Sequence, residues 1–197
     1  MGQRIIGLTG GIATGKSTVA EYLAAQYHLP ILDADLYARQ AVAPGSPILG
    51  AIAARHGPAI LLTDGTLNRA RLGQIVFSDA AEKAWLEQQI HPFVRQCFAT
   101  AMAQLSGATT VVQAIPLLFE ADLTDQVTEI WVVTCTPETQ LQRLIARNQL
   151  TPTAAARRIA NQWPLAEKVD RANVVLDNET TRPRLYQQID AALRATV

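Results

Sequence analysis

Apolar residues in this chain fall into two kinds of pattern. Some form short unbroken runs: Arg4-Ile5-Ile6-Gly7-Leu8-Thr9, Pro30-Ile31-Leu32-Asp33, Thr109-Thr110-Val111-Val112-Gln113-Ala114-Ile115, Glu129-Ile130-Trp131-Val132-Val133-Thr134 and Ala172-Asn173-Val174-Val175-Leu176. Rich in β-branched residues, each run predicts a strand. Elsewhere apolar positions recur at intervals of three and four, which predicts helices over 16–27, 34–42, 48–56, 69–77, 79–104 and 181–195. Two further helices are expected to start at Thr136-Pro137-Glu138 and at Thr151-Pro152-Thr153, each with proline in its first turn. The second is expected to continue through Arg157, Arg158 and Gln162 to Trp163-Pro164. Breaks fall at His28-Leu29-Pro30, Pro44-Gly45-Ser46-Pro47, His56-Gly57-Pro58 and Asp64-Gly65-Thr66. Pro92 is expected to kink or split helix 79–104.

Runs that are apolar at nearly every position suit strands buried on both faces. Strands alternating with helices imply a parallel sheet covered on both sides. The expected fold is therefore α/β, a five-stranded parallel sheet flanked by helices. Strand character almost vanishes over about 35–107, a stretch expected to be a helical insertion that holds a second substrate. The core would then comprise about 1–34, 108–147 and 165–197, with 148–164 as a separate segment.

The first strand runs into Gly10-Gly11-Ile12-Ala13-Thr14-Gly15-Lys16-Ser17, which fits G-x-x-x-x-G-K-[ST], and a helix follows. Glycines let the backbone turn its N–H groups inward, and successive inward amides form an anion nest. The positive end of the helix points at the same place. Lys16 adds a charge for the β- and γ-phosphates of a nucleoside triphosphate. Ser17 offers a hydroxyl to Mg²⁺, which keeps most of its waters and takes few protein ligands.

Composition narrows the field. The chain has 197 residues, which suits one domain, and its 17 basic residues balance 17 acidic ones. A generic nucleic-acid binder would show a basic excess. Cys97 and Cys135 lie far apart without a C-x-x-C pattern, so core thiols are expected rather than a disulfide or a metal site. The first apolar run ends at the glycine loop, so no signal peptide is read, and no uncharged apolar stretch approaches the roughly 18 residues of a membrane span. A soluble cytoplasmic protein is the expectation.

A GTPase would carry N-K-x-D and D-x-x-G motifs, and neither is present. A hydrolytic ATPase would end its third apolar run in acids, whereas this one ends Ile115-Pro116. Exclusion favours a small-molecule kinase. Asp33 stands at the carboxyl end of the second predicted strand, where open α/β sheets bind ligands. A carboxylate there can orient an acceptor hydroxyl and take its proton. That placement near the loop assumes that the first two strands are neighbours. Asp35 could bind Mg²⁺ through water, though a helix-cap role fits it equally. Arg143 and Arg147 share a helix face, and with Arg157 and Arg158 they resemble a cationic lid; a solvated basic face is the alternative. His91 could meet a substrate phosphate, but a lone histidine is more often structural.

Taken together, these pieces resemble the dephospho-coenzyme A kinases. The resemblance rests on Leu8-Thr9-Gly10-Gly11-Ile12 with Gly15-Lys16-Ser17-Thr18, Asp33-Ala34-Asp35, Asp64-Gly65-Thr66-Leu67, His91-Pro92 and Pro116-Leu117-Leu118-Phe119-Glu120. Gln140-Leu141 with Arg143 and Arg147, Arg158 with Gln162, and Asp177-Asn178 complete it, in order over nearly the whole chain. It implies a P-loop nucleoside triphosphate hydrolase/kinase fold with an arginine lid over 148–164. It implies transfer of the ATP γ-phosphate to the ribose 3′-hydroxyl of dephospho-coenzyme A, with Mg²⁺, by a chain expected to be monomeric. By the same analogy Asp33 is the base, assisted by Lys16 and Arg143. Gly11, Ile12, Ala13, Thr14, Gly15, Lys16, Ser17, Thr18, Arg143, Arg147 and Asn178 would hold the nucleotide, with Asn178 near the adenine. Thr9, Asp33, Asp35, Leu67, His91 and Leu118 would meet the acceptor. Two departures stand out: Ala13-Thr14 replaces a usual glycine-serine pair, and Asn173 replaces a common aspartate. Ala13 is expected to fit if its φ is negative. The competing readings are a kinase for another small alcohol and a nucleotide-binding regulatory module; Asp33 at the strand end argues against the latter.

Overall fold

Five strands and nine helices of the expected kinds form in the computed structural model, which describes residues 2–195. The strands are β1 (Arg4–Gly10), β2 (Ile31–Asp33), β3 (Thr110–Ala114), β4 (Glu129–Thr134) and β5 (Val174–Asp177). The helices are α1 (Lys16–Tyr27), α2 (Ala34–Ala41), α3 (Pro47–His56), α4 (Arg69–Ser78), α5 (Ala80–Gln104), α6 (Pro137–Asn148), α7 (Pro152–Ala160), α8 (Leu165–Asp170) and α9 (Arg182–Ala195). The chain divides into two compact units. One holds the sheet and comprises the chain up to Asp33 and again from Leu105; the other is helical and spans Ala34–Gln104. No helix among the described residues is long and apolar enough to cross a membrane.

All four strand pairings are parallel, in the order β2-β3-β1-β4-β5. The first two strands are therefore not neighbours, as the sequence reading assumed: β3 lies between them. Asp33 is nevertheless level with Ala114 of β3, which is level with Leu8 of β1. Both strands thus deliver their carboxyl ends to one edge of the sheet.

Ile6, Leu8, Val112, Trp131, Val133 and Leu176 pack one face against Val19 and Leu23 of α1 and Leu185 and Ile189 of α9. Side chains alternate along a strand, so Val111 and Val132, equally inaccessible, serve the other face. Each such large side chain contributes about 1.5–3 kcal/mol on leaving water. Asn173, at the foot of β5, accepts the Ile130 N–H on its Oδ1 at 2.7 Å and donates its own N–H to Ile130 O at 2.9 Å. An aspartate could accept the same bond, which accounts for asparagine serving there.

In the helical unit Val42, Leu49, Ile52, Ile60, Leu67 and Leu72 form a separate core, flanked by Trp85, Leu86 and Ile90. Side-chain caps set its helix starts: Ser46 Oγ accepts from Leu49 N, Asn68 Oδ1 from Arg71 N, and Asp79 Oδ1 from Ala81 N. Of the kink or split expected at Pro92, the split does not occur: α5 runs through it as one element. The helix α7 ends at Ala160, short of the expected Trp163. Beyond it lies α8, a short helix the hydrophobic pattern did not predict.

Candidate functional site

The turn between β1 and α1 is built as the motif requires. Gly15 caps α1 at φ +107°, a region that glycine enters freely. Its carbonyl accepts from Thr18 N and Val19 N. Among the described residues, no acceptor meets the amides of Ala13, Gly15, Lys16 and Ser17. The first turn of α1 carries no acid, so its positive end is left unmasked for an anion. Ala13 has φ +64°, so the condition named for an easy fit, a negative φ, is not met. It holds the left-handed conformation natural to a glycine, and it does so at a cost of about 1–2 kcal/mol.

Side chains distant in sequence grip the loop from outside. Gln140 Nε2, on α6, donates to Ile12 O at 2.9 Å, and Gln162 Oε1 accepts from Ile12 N at 2.7 Å. Asn178 Nδ2, just past β5, donates to Thr14 O at 2.7 Å. Within the loop, the Thr14 hydroxyl donates to Gly11 O at 2.9 Å. A Cβ at Gly11 would collide with the Gln140 amide, and one at Gly15 with the Asn178 amide. The glycines are thus needed for these approaches as well as for the turn.

Beside the loop opens a cleft of about 350 Å³ lined by Ala13, Gly15, Thr18, Arg143, Asn178, Thr180 and Arg182. Among the described residues nothing accepts from the buried Nη1 of Arg143. An unpartnered guanidinium nitrogen in a cleft is costly unless an anion completes it. Its neighbour Glu179 accepts from Thr136 N at 2.8 Å and from the Thr139 hydroxyl at 2.6 Å. Those bonds, with a smaller contribution from Arg143, hold the Glu179 carboxyl below its usual range. Burial pushes the nearby Cys135 thiol up. Arg147 is exposed, its Nε on Asn148 Oδ1, and it does not line the cleft.

Lys16 Nζ lies 3.9 Å from Asp33 Oδ2. The carboxylate that ends β2 and the ammonium that opens α1 therefore share one place at the sheet edge. This juxtaposition could serve phosphoryl transfer, which needs donors for phosphates and an acid near an acceptor alcohol.

A sequence model described as dephospho-CoA kinase matches residues 4–183. The chain belongs to the dephospho-CoA kinase family. A curated relative from Synechocystis, "Dephospho-CoA kinase", is 64% identical over 95% of this chain and 93% of its own length. Among solved structures, TT1252 from Thermus thermophilus is 32% identical with a TM-score of 0.84, covering 100% of both chains. A dephospho-CoA kinase from Campylobacter jejuni is 26% identical with a TM-score of 0.71, over 96% of this chain and 95% of that one.

In this family member the remaining sequence-derived candidates are spread widely. Thr9 and Leu118 are fully buried, with the Thr9 hydroxyl donating to Pro116 O at 3.1 Å; in this form neither side chain faces a solvent-borne ligand. Leu67 belongs to the core of the helical unit. Asp35, His91 and Ser17 are exposed, and Thr18 is half-buried in the cleft.

Sequence reasoning missed Thr180 and Arg182, which follow Asp177-Asn178 and line the cleft. It also missed Lys168. That ammonium is fully buried, 2.7 Å from Glu120 Oε1, which in turn accepts Trp163 N at 3.0 Å. Trp163 stacks on Phe119 at 6.0 Å, with Arg171 4.9 Å from its ring. The Pro116–Glu120 stretch thus anchors the chain leaving α7, a role no local pattern announces.

Proposed function

We propose that the chain transfers the γ-phosphate of ATP to the ribose 3′-hydroxyl of dephospho-coenzyme A, giving coenzyme A and ADP. The observation that carries this reading is the 3.9 Å approach of Lys16 and Asp33 at the open end of the amide nest. The amides of Ala13, Gly15, Lys16 and Ser17 hold the phosphates, and Lys16 neutralises charge on the β- and γ-oxygens. The acceptor oxygen forms its bond to the γ-phosphorus as the bond to the ADP oxygen breaks. Asp33 orients the acceptor hydroxyl and takes its proton. Arg143, which lines the cleft beside the loop, supplies its guanidinium to the triphosphate, and 148–164 acts as a lid that excludes water. Asp35 and His91, both exposed on the helical unit, are the side chains offered to the acceptor, whereas Leu67 serves the core of that unit. Ser17, exposed at the start of α1, fits the single hydroxyl that Mg²⁺ takes from such a loop. Mg²⁺ held there would supply Lewis-acid neutralisation of the phosphate charge. The protein works in this reading as a cytoplasmic monomer.

Purified protein with ATP, Mg²⁺ and dephospho-coenzyme A should yield coenzyme A and ADP in equal amounts, measured by chromatography. ADP formed only with some other alcohol would reject the acceptor assignment. Asp33→Asn should lower kcat by about 10²–10⁴. It should not weaken ATP binding, because it removes a negative charge beside Lys16. A variant with near-parental kcat would remove Asp33 from the role of base.

A further inference from the structure

The open amides of the loop are aimed from behind. In a planar trans peptide, the carbonyl of one residue and the N–H of the next point to opposite sides. Gln140 Nε2 holds the Ile12 carbonyl at 2.9 Å, so the Ala13 N–H is directed away from Gln140. Asn178 Nδ2 holds the Thr14 carbonyl at 2.7 Å, so the Gly15 N–H is directed away from Asn178. The intervening amides are used up: Ile12 N donates to Gln162 Oε1 at 2.7 Å and Thr14 N to Gly11 O at 3.2 Å. Along the turn, amides therefore alternate between occupied and open. The residues with open amides, Ala13 at φ +64° and Gly15 at φ +107°, are the ones with left-handed backbone. Alternation of right- and left-handed residues is what makes successive amides converge on an anion.

We propose that Gln140 and Asn178 are positioning residues for phosphoryl transfer, which fix the Ile12–Ala13 and Thr14–Gly15 peptides so that the Ala13 and Gly15 amides converge on the phosphates. The inference rests on reading the loop as the ATP site. Gln140 isolates the effect. It is buried, 4% exposed, and does not line the cleft, so anything it does to a ligand passes through the loop. An alanine at Ala13 sharpens the need, since it lacks glycine's ease at positive φ.

The test uses Gln140→Met, which keeps the side-chain length and removes the donor. Inorganic tripolyphosphate probes the amides alone, and adenosine probes the rest of the nucleotide site; both are titrated by calorimetry. Tripolyphosphate should bind the variant about tenfold more weakly, the scale of one lost hydrogen bond. Adenosine affinity should not change. Tripolyphosphate binding within about twofold of the parent overturns the inference, as does an equal loss for adenosine. Should Gln140→Met fail to fold, Gln140→Leu, which is also uncharged and lacks the donor, serves with the same two titrations and the same limits. A parent protein that binds neither tripolyphosphate nor ATP would instead reject the ATP-site reading, and this inference with it.

Discussion

Replacing Lys168 with methionine tests the packing behind the site. The ammonium is fully buried and lies 2.7 Å from Glu120 Oε1, with the Pro116 carbonyl, at 3.5 Å, its one further hydrogen-bond partner among the described residues. Methionine keeps the length and most of the volume of the side chain. It leaves the Glu120 carboxylate with the Trp163 N–H on Oε1, while Oε2 is already buried without a partner. The bare attraction of the pair does not measure the loss, because desolvation of both ions offsets most of it. The loss is set by the stranded charge, about 3–5 kcal/mol when one member of a buried pair is removed. Glu120 keeps one donor and is 16% exposed, which places the expectation at the lower end, about 3 kcal/mol. For a chain of this length each kcal/mol moves the melting temperature by about 2–4 °C, so a fall of about 6–12 °C is expected. Glu120→Gln in the same molecule removes the stranded charge and can still accept from Trp163 N. The double variant should therefore be more stable than Lys168→Met alone, with a coupling of about 2 kcal/mol in the cycle. Urea melts followed by circular dichroism, with equal slopes, give the energies. A loss below about 1 kcal/mol for Lys168→Met, or strict additivity in the double variant, would refute the reasoning.

Ala13→Gly relieves about 1–2 kcal/mol of left-handed strain, while the freer unfolded chain takes back about 0.4–1 kcal/mol. A small stabilisation is expected in urea midpoints, and a clear destabilisation would contradict the φ of +64°. Alkaline pH should act through the Tyr22–Asp190–Tyr27 cluster. Both phenols donate to Asp190 Oδ1, at 2.9 and 2.8 Å, and that bond is the main cause pushing Tyr22 up to about 12 and raising Tyr27. The folded state then keeps a proton that the unfolded chain gives up. The contribution is complete below the ordinary tyrosine pKa of 10.0 and is lost as pH climbs from there towards about 12. Melting temperatures across that range should fall more steeply in the parent than in Tyr22→Phe, and equal slopes would exclude the cluster.

The strands were legible because burial on both faces leaves nearly every position apolar, as in Val111-Val112 and Trp131-Val132-Val133. Helix starts were legible where proline opens the first turn, as at Pro137 and Pro152. The strand order was not, since a parallel crossover carries no local mark of where it lands. Nor was α8. Leu165-Ala166-Glu167-Lys168-Val169-Asp170 is six residues long, too short for a helical period to show a face. A lysine there reads as solvated, and only Glu120, far back in the chain, makes it a buried ion.

The same distinction separates the site residues. A spacing of four put Arg143 and Arg147 on one helix face, but spacing gives direction and not depth. Arg143 lies where α6 passes the cleft, and its Nη1 is cut off from solvent. Arg147, one turn on, is exposed and bonds its neighbour Asn148. The expected placement of Asp33 beside the loop holds because the strand-end rule survives a wrong neighbour: parallel strands finish at the same edge whichever strand lies between them. The backbone of Ala13 was not legible, for the opposite reason. Its φ is fixed by Gln140, Gln162 and Asn178, which reach the loop from 128 to 164 residues away in sequence. A motif read locally therefore locates the anion site, while the precision of its amides is set by side chains elsewhere, and substitutions there should change phosphate affinity without touching the motif.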